Sequence, residues 1–376
     1  MSRSFVVVAI VLLGLSSLDG TSVLGAPGDE LFGDPAIRVF RIEIAQPELD
    51  KLRAQNRAYV RATLTVGEQV FPDVAVRLKG QGSFRPLDDK PSFAVKVDEF
   101  VPNRQFCGLT KIMLNNASQD RTYLSEYLCT SLYRDARVPA PRVTHARVEF
   151  NGRDLGLYVL VEAMNKVFLR QHFQNPNGTL YEGYGRDIDK QLDHDGGPPT
   201  DQSDVRALVA AARLPVDERM TALRQWLDVD NFVDFLAIGM LIAQHDSYAL
   251  NHNNYRLYRD STSGRFTMIA HGIDGSFTQN MMPIVPPPRY VLTRGILEMP
   301  EGRQLYQERV ATLFTNVFKL EVMTNRIQTA AARLYAAAAT EHERTNIVGR
   351  TASFTRRIIE RYDNVTKQLG QAAASP

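Results

Sequence analysis

Cysteine is scarce: only Cys107 and Cys129 occur in 376 residues. Two cysteines in so long a chain are not a disulfide framework, though one pair could form in an oxidising compartment. There is no CxxC and no Cys/His cluster, which excludes structural zinc of the usual kind. Excess charge of one sign is also missing. The 44 Lys and Arg residues against 42 Asp and Glu leave a net charge of +2. Nothing in that balance asks for nucleic acid as a partner. No apolar run reaches the roughly 20 residues of a comfortable membrane span. The longest, Phe5–Leu15, follows Arg3 and precedes small and polar residues up to Gly25-Ala26. That pattern predicts a cleaved secretory signal over residues 1–26, with an uncleaved anchor as the alternative. No cysteine stands near the cut, which speaks against lipid attachment there. Internal repeats are absent.

What remains has ordinary globular composition, 44% hydrophobic and 23% charged, with length for one large domain or two lobes sharing a cleft. After a Gly- and Pro-containing lead, Arg38–Ile44, Tyr59–Val66, Phe71–Leu78 and Ser92–Val97 read as strands, and Pro47–Gln55 as a short helix. Between two of these strands lies Lys79-Gly80-Gln81-Gly82-Ser83-Phe84-Arg85. Glycines joining two strands let backbone N–H groups approach phosphate oxygens, but a flexible hairpin tip looks the same. Lys96, on an apolar strand, suits a phosphate-pairing lysine; Lys79 and Lys90 compete for that role, and the residues alone do not choose.

Asp120 is a candidate N-cap for a helix near Thr122–Ala136. Its apolar stripe is Tyr123, Leu124, Tyr127 and Leu128; Glu126 points away from it, and reads as a surface residue sooner than as a partner for a strand lysine. Val143–Phe150 and Leu155–Val161, joined by Asn151-Gly152, form the clearest hairpin. Glu162 follows directly, where it could meet a nucleotide or close a strand-end salt bridge. Asp187–Asp204 reads as a solvated acidic loop, and Trp226–Ala243 as a buried helix capped by Asp228 or Asp230. Three amphipathic helical stretches, Glu301–Phe318, Leu320–Ala338 and Thr340–Gln368, end the chain.

The rest of the chain serves Gln244–Phe277. His245-Asp246 is followed five residues on by Asn251, then by Asn253 and Asn254, two short strands, and Asp274-Gly275. A carboxylate, an amide oxygen, a hairpin and a second carboxylate form the order of a phosphoryl-transfer site. Protein kinases place H-R-D-x-x-x-x-N before such a hairpin and D-F-G after it. The Arg of the first motif and the Phe of the second are missing here.

KGQGSFR, LNNASQDRTYLSEYL, VPAPRVTHARVEFNGRDLGLYVLVEAMNKVFL and NHNNYRLYRDSTSGRFTMIAHGIDGSF, in that order, resemble the CotH (spore coat protein H) family of atypical secreted protein kinases. The resemblance runs from about Val39 to Phe277. It implies a kinase-like α+β fold: a β-rich lobe over residues 38–161 behind a linker at 27–37, then a mainly helical lobe over 162–376. It implies ATP, Mg²⁺ or Mn²⁺, and an extracytoplasmic protein phosphorylated on Ser or Thr. By match to the family's blocks, Asp246 would be catalytic and Asp274 would bind metal with Asn251 or Asn254. Lys79, Gly80, Gly82, Lys96 and Glu162 are the candidate nucleotide-binding residues. His271 and Gly272 stand where the family usually has an acidic pair, and Gly275 replaces an aromatic. That departure keeps three rivals open: a nucleotide-binding module without turnover, nucleotidyl transfer from the same pocket and, weakest, a metal-dependent hydrolase.

Overall fold

The computed structural model describes residues 25–374, with side chains to residue 371. The signal expected over residues 1–26 lies outside them except for its last two residues. The first lobe contains α1 (Asp29–Phe32), β1 (Arg38–Glu43), α2 (Gln46–Ala54), β2 (Val60–Val66), β3 (Gln69–Lys79), β4 (Ser92–Lys96), β5 (Lys111–Asn115), α3 (Ser125–Asp135), β6 (Val143–Phe150) and β7 (Arg153–Glu162). Its strands close into a barrel in the order β1-β2-β3-β4-β5-β7-β6. Neighbours in that order run antiparallel except at the closure, where β1 lies parallel to β6, with Phe40 opposite Val148. Period-2 alternation fills the barrel: Phe40, Ile42, Val74, Val76, Leu78, Phe93, Val95, Ile112, Leu114 and Leu160 form one buried cluster. With Leu78 inside, Lys79 projects from the outer face of β3.

The second lobe runs α4 (Lys166–His172), β8 (Thr179–Glu182), β9 (Asp193–Gly196), α5 (Ser203–Ala212), α6 (Val216–Trp226), α7 (Val229–Leu241), α8 (Tyr248–Asn251), β10 (Tyr255–Arg259), β11 (Phe266–Ala270), α9 (Val291–Leu297), α10 (Pro300–Asn316), α11 (Leu320–Ala336) and α12 (Glu341–Ala374). A sheet ordered β11-β10-β8-β9 lies among its helices. The helix α7 is apolar nearly all round, and all of its residues from Phe232 to Leu241 are buried. This is the pattern of a core helix rather than a surface one.

Three expectations change. The stretch 27–37 is no free linker: α1 sits there, Gly28 N–H donates to the Cys107 carbonyl at 2.7 Å, and Asp29 pairs with Arg142 at 2.8 Å. The acidic stretch Asp187–Asp204 contributes β9, because Arg256 neutralises Asp195 at 2.7 Å and Arg186 neutralises Asp193 at 2.8 Å. The helix expected over Trp226–Ala243 begins at Val229. Leu227 and Asp228 break it from α6, and the Asp228 carboxylate accepts from Asn231 N–H at 3.1 Å. Cys107 and Cys129 are both free thiols.

Candidate active site

The site is assembled at strand ends and helix ends, where backbone direction changes. Lys79 ends β3 and Asn115 ends β5. The Lys79 ammonium donates to Asn115 Oδ1, and Asn115 Nδ2 donates to Glu126 Oε2 at 3.0 Å. An amide therefore stands between lysine and glutamate. Burial pushes the Lys79 amine down to about 8, opposed by the negative charges of Glu126 and Asp274. Burial, then the Asp274 charge, pushes the Glu126 carboxyl up to about 7. Glu126 is 6% exposed, so the surface reading of this residue is corrected. Glu126 is covered because α3 is packed on two sides: Leu128, Leu132 and Tyr133 face the large core, while Tyr127 and the preceding Tyr123 also pack on Val143, Val159 and Val161 of the barrel's outer face.

Gly80 follows Lys79 with φ +95°, a conformation that L side chains rarely adopt. Its carbonyl receives a hydrogen bond from Arg57. Asn116 Nδ2 ties the loop down by donating to the Ser83 carbonyl at 3.1 Å and the Lys90 carbonyl at 2.8 Å. The glycine loop thus sits beside Lys79 and the end of β5.

The second half of the site grows from the C-terminal end of α7. Asp246 lies in the turn after that helix, and three side-chain amides converge on its carboxylate. Asn253 and Asn254 each donate to Oδ2 at 2.9 Å, and Asn251 donates to Oδ1 at 3.2 Å. Asn254 Nδ2 also reaches the Asp246 carbonyl at 2.8 Å. With its nitrogen occupied, Asn254 turns Oδ1 over Gly272. A Cβ at Gly272 would lie 2.4 Å from that oxygen, and φ there is +62°. Only glycine lets the Asp246 loop come so close to the segment leading into Asp274. Asn251, in contrast, is exposed at the end of α8.

Asp274 has no such amide cage. Burial raises its carboxyl above the ordinary range, and the nearby carboxylates Asp120 and Asp246 act in the same direction against Lys79. Asp120 is more than the expected cap. It accepts from Ser125 N–H at 2.8 Å and Thr122 N–H at 3.0 Å, and Ser125 Oγ donates to the Ile273 carbonyl at 3.3 Å. The start of α3 is thereby docked on the Asp274 loop. His245 lies against the same loop: its Nδ1 is 3.2 Å from Thr278 Oγ1, and its ring borders Gly275. Buried Arg361 of α12 ties the end of α7, which leads into Asp246, to the segment that follows Asp274. It donates to the Leu241 carbonyl at 3.0 Å and the Met240 carbonyl at 2.6 Å, and on the other side to the Asn280 and Met282 carbonyls at 3.0 and 2.5 Å.

Two expected site residues are not brought to this cluster. Lys96 lies near the far end of β4, ion-paired with Glu99 at 2.7 Å and stacked over Tyr59 at 4.8 Å. Its register partner is Ala75, whereas the partner of Lys79 is Ser92. Four residues along β4 separate Lys96 from that position, about 13 Å at the strand rise. Glu162 is held by Arg142, at 3.0 Å from Nε and 2.5 Å from Nη2, and by Gln171 at 3.0 Å. Its buried carboxylate closes β7 onto β6, the strand-end salt bridge that the residues had left open. Lys90 is also spent elsewhere: it donates to the Leu157 carbonyl at 2.7 Å over the rings of Tyr123 and Tyr158. Asn115, Asn253 and Asp120 were not singled out as site residues from the sequence. For Asn253 the signal existed, in the run of asparagines after Asp246.

Among the described residues no group of three or more His, Cys, Asp or Glu side chains could by itself hold a metal. Asp274 and Asn254 Oδ1 offer an oxygen-only pair beside surplus negative charge. That donor set is too small for a protein-caged ion. It fits a divalent cation that takes its remaining ligands from phosphate and water.

A barrel lobe, a following helical lobe, and the chain order strand lysine, helix glutamate, Asp246, Asn254, Asp274 define a kinase-like protein. The family model described as CotH kinase protein matches residues 76–371, and the chain belongs to this family. Inner spore coat protein H of Bacillus subtilis (strain 168) is 20% identical over 258 residues, covering 62% of this chain and 70% of the relative. Invasin CotH7 of Rhizopus delemar is 26% identical over 184 residues, covering 45% of this chain and 31% of the relative. Among solved structures, the Helicobacter pylori proinflammatory kinase CtkA aligns over 73% of this chain and 94% of its own, with 9% identity and a TM-score of 0.34. The HipA, HipB and operator DNA complex of Shewanella oneidensis MR-1 aligns over 70% of this chain and 61% of its own, with 11% identity and a TM-score of 0.29. Among the described residues, no helix is long and apolar enough to cross a membrane.

Proposed function

We propose that the chain is an extracytoplasmic, ATP- and metal-dependent protein kinase that transfers the γ-phosphoryl group to Ser or Thr. The observation that carries this is the convergence of Lys79, Glu126 and Asp274 in one electrostatic cluster beside the amide-held Asp246. Lys79 and the Gly80–Gly82 loop hold the phosphates. Asp246 orients the acceptor hydroxyl and takes up its proton as the oxygen bonds to phosphorus and ADP leaves. Asp274 and Asn254 Oδ1 would hold a divalent ion, which would supply charge neutralisation for the phosphates. The protein's contribution is position and preformed charge, which is how phosphoryl transfer is catalysed elsewhere. The secretory signal expected over residues 1–26 supports an extracytoplasmic reaction.

A second reading is a nucleotide-binding module with little or no turnover. It is favoured by His271-Gly272, where the usual acidic pair is replaced and the protein ligands to a metal are few. The deciding experiment is transfer of label from ATP to a generic acidic protein with Mg²⁺ or Mn²⁺, for the purified protein and its Asp246→Asn and Asp274→Ala variants. Transfer of the γ-label lost in both variants supports the kinase. Label from the α-phosphate moves the protein to nucleotidyl transfer. No transfer, with nucleotide still raising Tm, leaves the binding module.

A further inference from the structure

One corner of this cleft is used by nothing described so far. His271, just after β11, and Glu182, at the end of β8, meet beside β10. The His271 Nε2 is buried and has no hydrogen-bond partner among the described residues. It lies 3.8 Å from Glu182 Oε1, too far for a direct bond. Arg256 takes the other carboxylate oxygen, Oε2, at 3.1 Å, and also holds Asp195 and the Met164 sulfur. The corner is therefore placed between Met164, just past β7, and the segment running into Asp274. Gly272, the next residue after His271, lies against Asn254 Oδ1, so the corner adjoins the segment that leads into Asp274.

The ring is neutral: burial, then the Arg256 charge, pushes it down to about 3. It also meets the Tyr255 backbone carbonyl. A carbonyl only accepts, so the nitrogen facing it carries the hydrogen and Nε2 carries the lone pair. Two acceptors, a carboxylate oxygen and an imidazole lone pair, thus lie 3.8 Å apart with no donor shared between them among the described residues. An unfilled buried acceptor of this kind costs stability.

We infer that Glu182 Oε1 and His271 Nε2 form a nucleotide-reading corner that accepts hydrogen bonds from a donor group of the bound nucleotide. The donor is an exocyclic base amine or a ribose hydroxyl, chemistry that both supply. The corner rests on the nucleotide reading above and adds selectivity to it. No bond is made or broken there, and the replacement of an acidic residue by His271 becomes a change of recognition rather than a loss.

The test is calorimetric Kd with Mg²⁺ for ATP, inosine triphosphate, 2′-deoxy-ATP and 3′-deoxy-ATP. Inosine triphosphate replaces the amine by an accepting oxygen, and the deoxy compounds each lack one hydroxyl. The wild-type protein should bind ATP about tenfold more tightly than at least one analogue, the scale of a hydrogen bond to a charged group. The analogue that loses affinity identifies the donor. In Glu182→Gln and His271→Phe that gap should shrink to about threefold or less. Equal affinity of wild type for all four compounds would mean that the corner holds only water, and overturns the inference. A gap that persists in both variants overturns it as well. Absence of any ATP binding sinks the nucleotide reading and the corner with it, whereas ATP binding without discrimination sinks the corner alone. Equal affinities in the wild type overturn the inference without any variant, and either variant that folds suffices to test a gap.

Discussion

The two aspartate loops of the cleft are built in opposite ways. Asp246 is surrounded by neutral donors, with three asparagine amides fixing both carboxylate oxygens. Asp274 is surrounded by charge: Asp120 and Asp246 of its own sign, Lys79 of the other, and burial that makes the imbalance expensive. A carboxylate held by amides has a fixed direction and is poised to orient a hydroxyl. A carboxylate left among like charges awaits a cation. The same residue type, 28 positions along the chain, is given two roles by its neighbours alone.

The sharpest way to break the contrast is to remove the uncompensated charge. Asp274→Ala should lower metal-dependent transfer by about 10³-fold, the scale seen when one preorganised electrostatic group is lost. Without nucleotide it should leave Tm unchanged or higher, because a buried like-charge neighbour has gone. A clear fall in apo Tm would show that Asp274 is structural instead.

A smaller effect separates the asparagines. Asn254→Ala should weaken the apparent affinity for Mn²⁺ in the presence of nucleotide by about 10- to 100-fold, the range for groups that ligate or orient at metal sites. Asn251→Ala should change it by about twofold or less, since its exposed amide does not reach the Gly272 side. Titration of Mn²⁺ by electron paramagnetic resonance reads both, and the reverse order would move the metal towards Asn251.

The smallest effect concerns the charged cluster that Asp274 shares. The folded state raises the Glu126 carboxyl from 4.5 to about 7. A raised acid contributes stability that is present below its unfolded value and lost as pH climbs through the folded one. Tm of the wild type should therefore fall, relative to Glu126→Gln, between about pH 4.5 and pH 7. Lys79 works in the other direction at higher pH: its lowered amine removes a penalty as pH rises from about 8 to 10.5. Thermal melts of the two proteins across pH 4–8 check this, and parallel curves would show that Glu126 is not carrying the shift.

The elements that were legible in the sequence share a physical cause: their signal is local. The Gly80–Gly82 loop, the Asn151-Gly152 hairpin, α7 and the two aspartates flanking β10 and β11 all announce themselves through neighbours in the chain. Lys96 and Glu162 show the limit. Each sits where a motif would put it, but Glu99 claims one and Arg142 claims the other. Arg142 is 20 residues from Glu162, and their pairing depends on the register of β6 against β7. Glu126 failed in the opposite sense. An amphipathic stripe assumes one buried side, and α3 has two.

The lobes, the glycine loop, the order of the two aspartates and, through the matching blocks, the family could all be read along the chain. These depend on period, turn chemistry and chain order, which a single strand of residues carries. Folding in three dimensions was needed to select Lys79 among the lysines, to stand Asn115 between Lys79 and Glu126, to lean Asn254 over Gly272, and to have Arg361 tie the end of α7 to the segment after Asp274 from the far end of the chain. Those choices are made by strand register and barrel closure. They bring together groups that no spacing along the chain relates, and burial then sets the charges that they share.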